Sequence, residues 1–172
     1  DTVDLHYLRE QRQAELQNSL ALRRLAAQTR HQELKLMQQA DLTLVVSAAE
    51  QALLQEQSAA ARVRVLSNIH AVPGCQHGFE QRRGVLFVGG FQHPPNIDAA
   101  VWLAEQIWPL VLARLPQAQL HLIGSNATEK IQALASDSII VHGFVPELEP
   151  WLDQVRCSVA PLRYGAGVKG KI

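Results

Sequence analysis

The closing stretch of the chain, PLRYGAGVKGKI, matches two phosphate-binding patterns. Gly165, Gly167 and Gly170 have the G-x-G-x-x-G spacing of a dinucleotide-binding turn, and Gly165 to Lys171 has the G-x-x-x-x-G-K spacing of a phosphate loop. A phosphate loop needs Ser or Thr after the lysine to hold magnesium, but Ile172 stands there. A dinucleotide fingerprint opens the first βαβ unit of a domain, whereas this copy follows the last predicted strand of its region.

The two patterns share a more general chemistry, which is anion binding by backbone amides. Unpaired N–H groups at a glycine-rich turn before a helix favour a negatively charged ligand. Arg163, Lys169 and Lys171 add positive charge beside this turn. We therefore predict that the loop binds a diphosphate, and we interpret both named motifs as coincidences of a glycine-rich turn.

Glycine also follows the three other predicted strands of this region. Gly89 and Gly90 follow the first strand, Gly124 follows the second, and Gly143 follows the third. Strand-to-helix turns use glycine in any case, because it accepts a positive φ, but glycine also lets a ligand approach the backbone. Ligands of parallel sheets lie beyond the carboxyl ends of the strands, so the recurrence favours a nucleotide or sugar cleft there.

The elements that would position these glycines alternate between strand and helix. The runs GVLFVGGF, AQLHLIGS, SIIVHGFV and CSVAPL predict buried strands. Between the first two, PPNIDAAVWLAEQIWPLVLARLP predicts a helix with Asn96 as its cap and Pro109 as a kink or break. Strands separated by helices form a parallel sheet covered on both faces, so this region is predicted to be α/β and Rossmann-like.

The chain before Pro73 has a different composition, because it contains neither proline nor glycine. Residues 8–40 are rich in Leu, Ala, Gln, Glu and Arg, and they predict one long helix. DLTLVVS and RVRVLSN predict short strands, and a capping box of Ser47 and Glu50 predicts the helix between them. Residues 73–84 carry Pro, Gly and charge, and they predict a linker.

Bulk composition excludes several classes of protein. Basic and acidic residues are equal in number, at 16 each, and the pI is near 7.2, so the chain lacks the basic footprint of a nucleic-acid-binding protein. Its two cysteines do not form a disulfide framework, and no apolar run approaches the length of about 18 residues that spans a bilayer. We expect a soluble cytoplasmic protein.

The region from Gly84 to Ile172 resembles the donor-binding half of GT-B retaining glycosyltransferases of group 1, the family 4-like enzymes. FVGGFQHPPNIDAAVWL, LHLIGS and IIVHGFVPELEPWLDQVRCSVAPLRYGAGVKGKI carry the resemblance. ADLTLVVSAAEQALL and RVRVLSNIHAVP are similar to the end of the acceptor-binding half and its crossover strand. The resemblance implies an acceptor-domain piece over 1–72, a linker over 73–84 and an incomplete nucleotide-sugar-binding domain over 85–172. It also implies a chain truncated at both ends and inactive alone.

The function implied by this resemblance is a metal-independent hexosyl transfer without a cofactor. A nucleotide diphosphate sugar would be the donor, a glycan or lipid-linked molecule the acceptor, and the anomeric configuration would be retained. Such a parent enzyme would act in cell-surface polysaccharide synthesis, in the cytoplasm or peripherally at the inner face of the membrane. Two alternatives stay open, namely a sugar-nucleotide epimerase of the same architecture and a non-catalytic binding module.

Site residues follow from the resemblance and from the glycine turns. The predicted donor-binding residues are Gly89, Gly90, Gly124, Gly143, Phe144, Val145, Gly165, Ala166, Gly167 and Val168. Arg163 and Lys169 are predicted to neutralise the leaving diphosphate, and His6 to face the cleft from the acceptor side. The sequence departs from the family at Gln92 and His93, where many members have Arg and Lys, and at residues 164–167, where many have an acidic residue.

Overall fold

The computed structural model describes residues 4–58, 62–70 and 74–168. The chain divides into two compact units. Unit 1 takes in the chain up to Ala71 and the segment that begins at Tyr164, and unit 2 runs from Val72 to Arg163. The predicted domain boundaries stay a prediction.

Unit 1 begins with two helices, α1 (His6–Leu16) and α2 (Leu20–Gln39), which pack against each other. The prediction of one helix over residues 8–40 is therefore wrong. Asn18 takes a positive φ of 47°, and the Ser19 hydroxyl accepts a hydrogen bond from the amide of Leu22. Asparagine tolerates the left-handed region and serine caps a helix, so the pair ends one helix and starts the next.

The rest of the regular structure of unit 1 is a parallel βαβ arrangement. Strand β1 (Thr43–Val45) pairs with β2 (Val63–Val65), and α3 (Ala48–Gln57) lies between them in sequence. The Ser47 hydroxyl accepts a hydrogen bond from the Glu50 amide, which confirms Ser47 as the N-cap of α3. The second bond of the predicted capping box differs, because the Glu50 carboxylate accepts from the Ser47 hydroxyl and not from its amide. The core of this unit contains Leu5, Tyr7, Met37, Val45, Leu54 and Val63.

Unit 2 contains a four-stranded parallel sheet. Its strands are β3 (Val85–Val88), β4 (Leu120–Ile123), β5 (Ile139–Gly143) and β6 (Cys157–Ser158), in the order β5-β4-β3-β6. All three pairings are parallel, so the carboxyl ends of the four strands lie at one edge of the sheet. The predicted α/β class with a parallel sheet is confirmed.

The helix after β3 is interrupted as its proline predicts. It consists of α4 (Pro94–Trp102), a π-helical turn over Leu103–Ile107 and α5 (Trp108–Leu112). Proline cannot donate the hydrogen bond of a continuous helix, and the π-helical turn stands immediately before the segment that contains Pro109. The N-cap of α4 is His93, so the prediction that Asn96 caps this helix is wrong.

Both faces of the sheet are covered. One face packs Phe87, Leu120, Leu122 and Ile139 against α4, the π-helical turn and Trp108. On the other face, Leu86 and Ile123 pack with Val155 and with Trp151 of α7 (Glu149–Gln154). A short helix, α6 (Glu129–Gln132), joins β4 to β5 and adds Ile131 to the first core.

The described part of the predicted linker is fixed to unit 2 by Asp153 of α7. Oδ1 of Asp153 accepts hydrogen bonds from the amides of Gln76 and His77, at 2.8 and 3.2 Å. The His77 ring contacts Oδ2 of the same carboxylate at 2.5 Å. These bonds, with the hydrogen bond from His77 foremost, lower the pKa of Asp153.

Among the described residues, no helix is long and apolar enough to cross a membrane.

Candidate functional site

The turns after β3 and β4 touch each other through their backbones. The Gly89 amide donates to the carbonyl of Ile123 at 2.9 Å, and the Gly124 amide donates to the carbonyl of Gly143 at 2.8 Å. A Cβ added to Gly124 would lie 1.9 Å from the Gly89 carbonyl oxygen, and one added to Gly89 would lie 2.8 Å from Cγ of Asn96. Packing within unit 2 therefore requires glycine at both positions.

Gly90 differs from these two glycines. A Cβ at Gly90 would meet only the Ser125 hydroxyl, at an ordinary contact distance of 3.6 Å, and its φ is outside the left-handed region. Its carbonyl accepts a hydrogen bond from Nδ2 of Asn96, a side chain that is 6% exposed. The fold thus fixes the Gly90 peptide, but it leaves room for a side chain there.

The turn after β5 requires glycine for a conformational reason. Gly143 has a φ of +71°, and a Cβ there would meet nothing within 4 Å. The next two residues diverge, because Phe144 is 73% exposed while Val145 packs with Leu86 and Ile123. The structure therefore brings Gly89, Gly124 and Gly143 together at the carboxyl edge and leaves the Phe144 ring mostly in solvent.

Arg163, at the end of unit 2, is held by α4. Its Nε donates to Oδ2 of Asp98 at 2.9 Å, and its Nη2 donates to Oδ1, so the pair is bidentate. The guanidinium carbon lies 5.6 Å from the centre of the Trp102 ring, within cation–π range. This pairing was not predicted from the sequence.

Two histidines lie side by side on β4 and β5. Nδ1 of His121 is 3.0 Å from Nε2 of His142, and the Trp151 ring packs against both rings. Burial, and then repulsion from His142, lowers the pKa of His121, while burial lowers the pKa of His142. Both rings therefore resist protonation in the folded protein.

The glycine-rich loop after β6 belongs to unit 1, where side chains from two helices hold it. Nη1 of Arg12, on α1, donates to the carbonyl of Gly165. The Gly167 amide donates to Oε1 of Glu50, on α3, at 3.0 Å. Ala166, between the two glycines, packs against the core of unit 1. Sequence reasoning assigned Glu50 only to the capping box and gave Arg12 no role.

His6 stands at the first position of α1 with a side chain that is 57% exposed. Its ring lies 3.1 Å from Oδ1 of Asp4 and 3.8 Å from Oε1 of Glu33, and its amide also donates to Glu33. The role of His6 in catalysis stays a prediction. Lys169 and Lys171, the other predicted contributors of positive charge, lie outside the described residues.

Comparison with known proteins places the chain among sugar-transferring enzymes. Residues 82–172 match the family described as Glycosyl transferases group 1. This segment contains all of the predicted donor-binding residues. No curated protein sequence matches the chain significantly.

Two structures of TarM are similar in fold. One, at 16% identity and a TM-score of 0.66, covers 83% of this chain and 29% of its own. The other is a substituted form of S. aureus TarM in complex with fondaparinux, α-GlcNAc-glycerol and UDP; it has 15% identity and a TM-score of 0.62 and covers 77% of this chain and 27% of its own. The chain thus spans less than a third of either TarM chain. The predicted resemblance to GT-B group 1 enzymes is confirmed.

Proposed function

Because the chain belongs to the group 1 glycosyl transferases, we propose that its protein transfers a hexose from a nucleotide diphosphate sugar to a glycan or lipid-linked acceptor, with retention. The donor class is supported by the TarM complex, which contains UDP and sugars. Retention, the hexose and the acceptor class come from the family resemblance. The same resemblance suggests a reaction in the cytoplasm, at the inner face of the membrane, that needs no metal ion.

Gly90 is the observation that carries the donor-binding proposal. Gly89 and Gly124 are explained by packing, and Gly143 is explained by its positive φ. Gly90 has neither reason to be glycine, and it follows a strand at the carboxyl edge, where parallel sheets bind ligands. A ligand that approaches the backbone closely would explain why no side chain is present.

Charge at the reacting diphosphate is proposed to come from two side chains and one loop. Arg163 and Lys169 would neutralise the leaving diphosphate, and amides of the loop over residues 165–168 would bind it. The bidentate bond to Asp98 supports the role of Arg163, because it fixes the guanidinium before any ligand arrives. The Gly167 amide donates to Glu50. We therefore propose that Gly167 contributes through the conformation that it gives the loop and not through its own amide.

Titration calorimetry with UDP, UMP and uridine tests the donor proposal. We expect affinity to fall in that order, because the phosphates would supply most of the binding free energy. Gly90→Ala should weaken UDP binding by about tenfold, equivalent to about 1.4 kcal/mol, with an unchanged melting temperature. ADP and GDP extend the series to other bases. Equal affinities for UDP and uridine would contradict the proposal, as would unaltered UDP binding by Gly90→Ala.

A further inference from the structure

Three consecutive residues of the glycine-rich loop are each held by a different part of unit 1. Arg12 donates to the Gly165 carbonyl, Ala166 packs against the core, and the Gly167 amide donates to Glu50. These contacts join residues 153 and 117 positions apart in the chain. They act on the backbone of the loop, so they set the directions in which its peptide groups point.

Glu50 is the most constrained of these partners. Glu50 is only 5% exposed. Its Oε1 accepts from the Gly167 amide, and its Oε2 accepts from the Ser47 hydroxyl at 3.3 Å. A buried carboxylate must keep such hydrogen bonds, because losing them leaves a desolvated charge without compensation. Its place in the first turn of α3 also favours the negative charge through the helix dipole.

The bond from Gly167 determines the loop conformation at a residue that could otherwise vary. Gly167 has a φ of +71°, and glycine populates positive and negative φ about equally. A hydrogen bond to a charged acceptor is stronger than one between neutral groups, so Glu50 selects one orientation of the peptide between Ala166 and Gly167. The neighbouring peptide groups of the loop take their directions from this one.

We propose that Glu50 is a positioning residue, which fixes the loop over Gly165–Gly167 in the conformation that meets the donor diphosphate. The identity of the ligand rests on the proposed function, whereas the hydrogen bond between Glu50 and Gly167 does not. Glu50 does not touch the reacting atoms in this proposal. It accepts one amide of the loop, and the orientation of the remaining amides follows.

Hydrogen exchange of the Gly167 amide in the ligand-free full chain tests the contact directly. Glu50→Ala should accelerate exchange by at least about tenfold, because it removes a charge-assisted hydrogen bond. Glu50→Gln keeps an oxygen that can accept from Gly167, so we expect exchange within about threefold of wild type. Ser19→Ala is the control, since it removes the cap of α2 in the same unit and leaves both hydrogen bonds of the Glu50 carboxylate.

Calorimetry with UDP on the same proteins tests the consequence for the ligand. We expect Glu50→Ala to weaken UDP binding by about tenfold, and Glu50→Gln and Ser19→Ala to stay within about threefold of wild type. Unchanged binding by Ser19→Ala would separate positioning from a general loss of stability in unit 1, because this variant loses a helix cap but keeps the bonds of Glu50.

Two results would overturn the inference. Exchange at Gly167 that is unchanged in Glu50→Ala would show that the carboxylate does not hold the loop. Tighter UDP binding by Glu50→Ala would show that the carboxylate opposes the anion rather than preparing its site. If the wild-type chain binds no UDP, the donor proposal fails, and the exchange measurements alone decide whether Glu50 fixes the loop.

Discussion

The turn after β4 and the loop after β6 are both glycine-rich, but they are held in different ways. At Gly124 the backbone packs against the Gly89 carbonyl so closely that no side chain fits. Over Gly165–Gly167 the backbone is held by Arg12 and Glu50, side chains on two helices of unit 1. The first turn is fixed by steric exclusion within one sheet, and the second by polar contacts with residues distant in sequence.

This difference determines what a mutation reports. A side chain added at the first turn would force two backbone segments apart, so its effect should appear as lost stability. Removing a partner of the second loop leaves the loop sterically possible but less fixed. Its effect should appear as lost order and weaker ligand binding rather than as unfolding. In unit 2 the glycine itself therefore determines the backbone conformation. In unit 1 the side chains of the helices determine the conformation of the loop.

The largest effect is expected for Gly124→Ala. The new methyl group would overlap the Gly89 carbonyl, so β3 and β4 would have to separate at their carboxyl ends. We expect a loss of more than about 3 kcal/mol in the free energy of unfolding, because the two nearest atoms belong to the backbone of Gly89 and cannot move aside as a flexible side chain would. Denaturant unfolding followed by circular dichroism would measure it.

Gly90→Ala is the matched control for Gly124→Ala. Its methyl group would make only an ordinary contact with the Ser125 hydroxyl, so we expect a change within about 0.5 kcal/mol. Equal losses of stability in the two variants would show that steric exclusion at Gly124 does not distinguish these glycines. The comparison between the two loops would then lose its basis.

The second effect concerns rate. In the catalytically active protein, Arg163→Ala should lower kcat by about 10²–10³, because removing one preorganised donor to a developing charge typically costs this much. Lys169→Ala should match it under the proposed function. Steady-state kinetics with a nucleotide sugar would measure both variants, and rates within about threefold of wild type would remove these residues from the proposed site.

Asp98→Ala separates the two roles that Arg163 could have. If Arg163 serves only to pair with Asp98, both variants should lose the same stability and the same activity. If Arg163 acts on the diphosphate, Asp98→Ala should lower kcat less than Arg163→Ala does, since the guanidinium remains but loses the carboxylate that orients it. A double-mutant cycle on kcat and on stability would resolve the two terms.

The same contrast explains what could be predicted from the sequence. The strands of unit 2 were predictable because each is a short apolar run ended by glycine or a polar turn, and Ser47 with Glu50 formed a local cap. Two local predictions failed although a signal was present. Asn18 and Ser19 together favour a helix break, and Asn96 lies buried inside α4, where it donates to Gly90.

The contacts of the second loop had no local signal. The bonds from Arg12 to Gly165 and from Gly167 to Glu50 depend on which helices the chain brings to the loop. Nothing in the spacing of a helical arginine distinguishes one that holds a distant carbonyl from one that faces solvent. The glycines of the site were therefore predictable, but the side chains that hold some of them were not.

A third, smaller effect is expected for Gly143→Ala, which separates conformation from contact. The position has room for a methyl group, but its φ of +71° disfavours any residue with a Cβ. We expect a loss of about 1–2 kcal/mol, smaller than at Gly124 and larger than at Gly90. Thermal unfolding of the three variants would give this order. A loss at Gly143 as large as that at Gly124 would contradict the distinction between strain and overlap.

The smallest effect tests unit 2 through pH. The pKa values of His121 and His142 are lowered in the folded protein, so between their folded values and about 6.5 the unfolded chain binds protons that the folded chain does not. The folded state therefore has its full stability, as far as this pair is concerned, above about pH 6.5. It loses stability as the pH falls from there toward the folded pKa values. Asp153 has a lowered pKa too, but its contribution is lost only in stronger acid, below the ordinary carboxyl range.

We therefore expect the melting temperature to fall by a few degrees between about pH 7.5 and about pH 5.5, and the protection of β4 and β5 from hydrogen exchange, relative to the intrinsic rate at each pH, to decrease. The double variant His121→Leu/His142→Leu removes both members of the pair at once, so neither ring is left without its partner. It should show a smaller fall over the same range. The other histidines are the same in both proteins, so the difference between the two pH profiles isolates the pair. Identical profiles would mean that the pair does not control the acid sensitivity of unit 2, and that its stability depends on backbone packing such as that at Gly124.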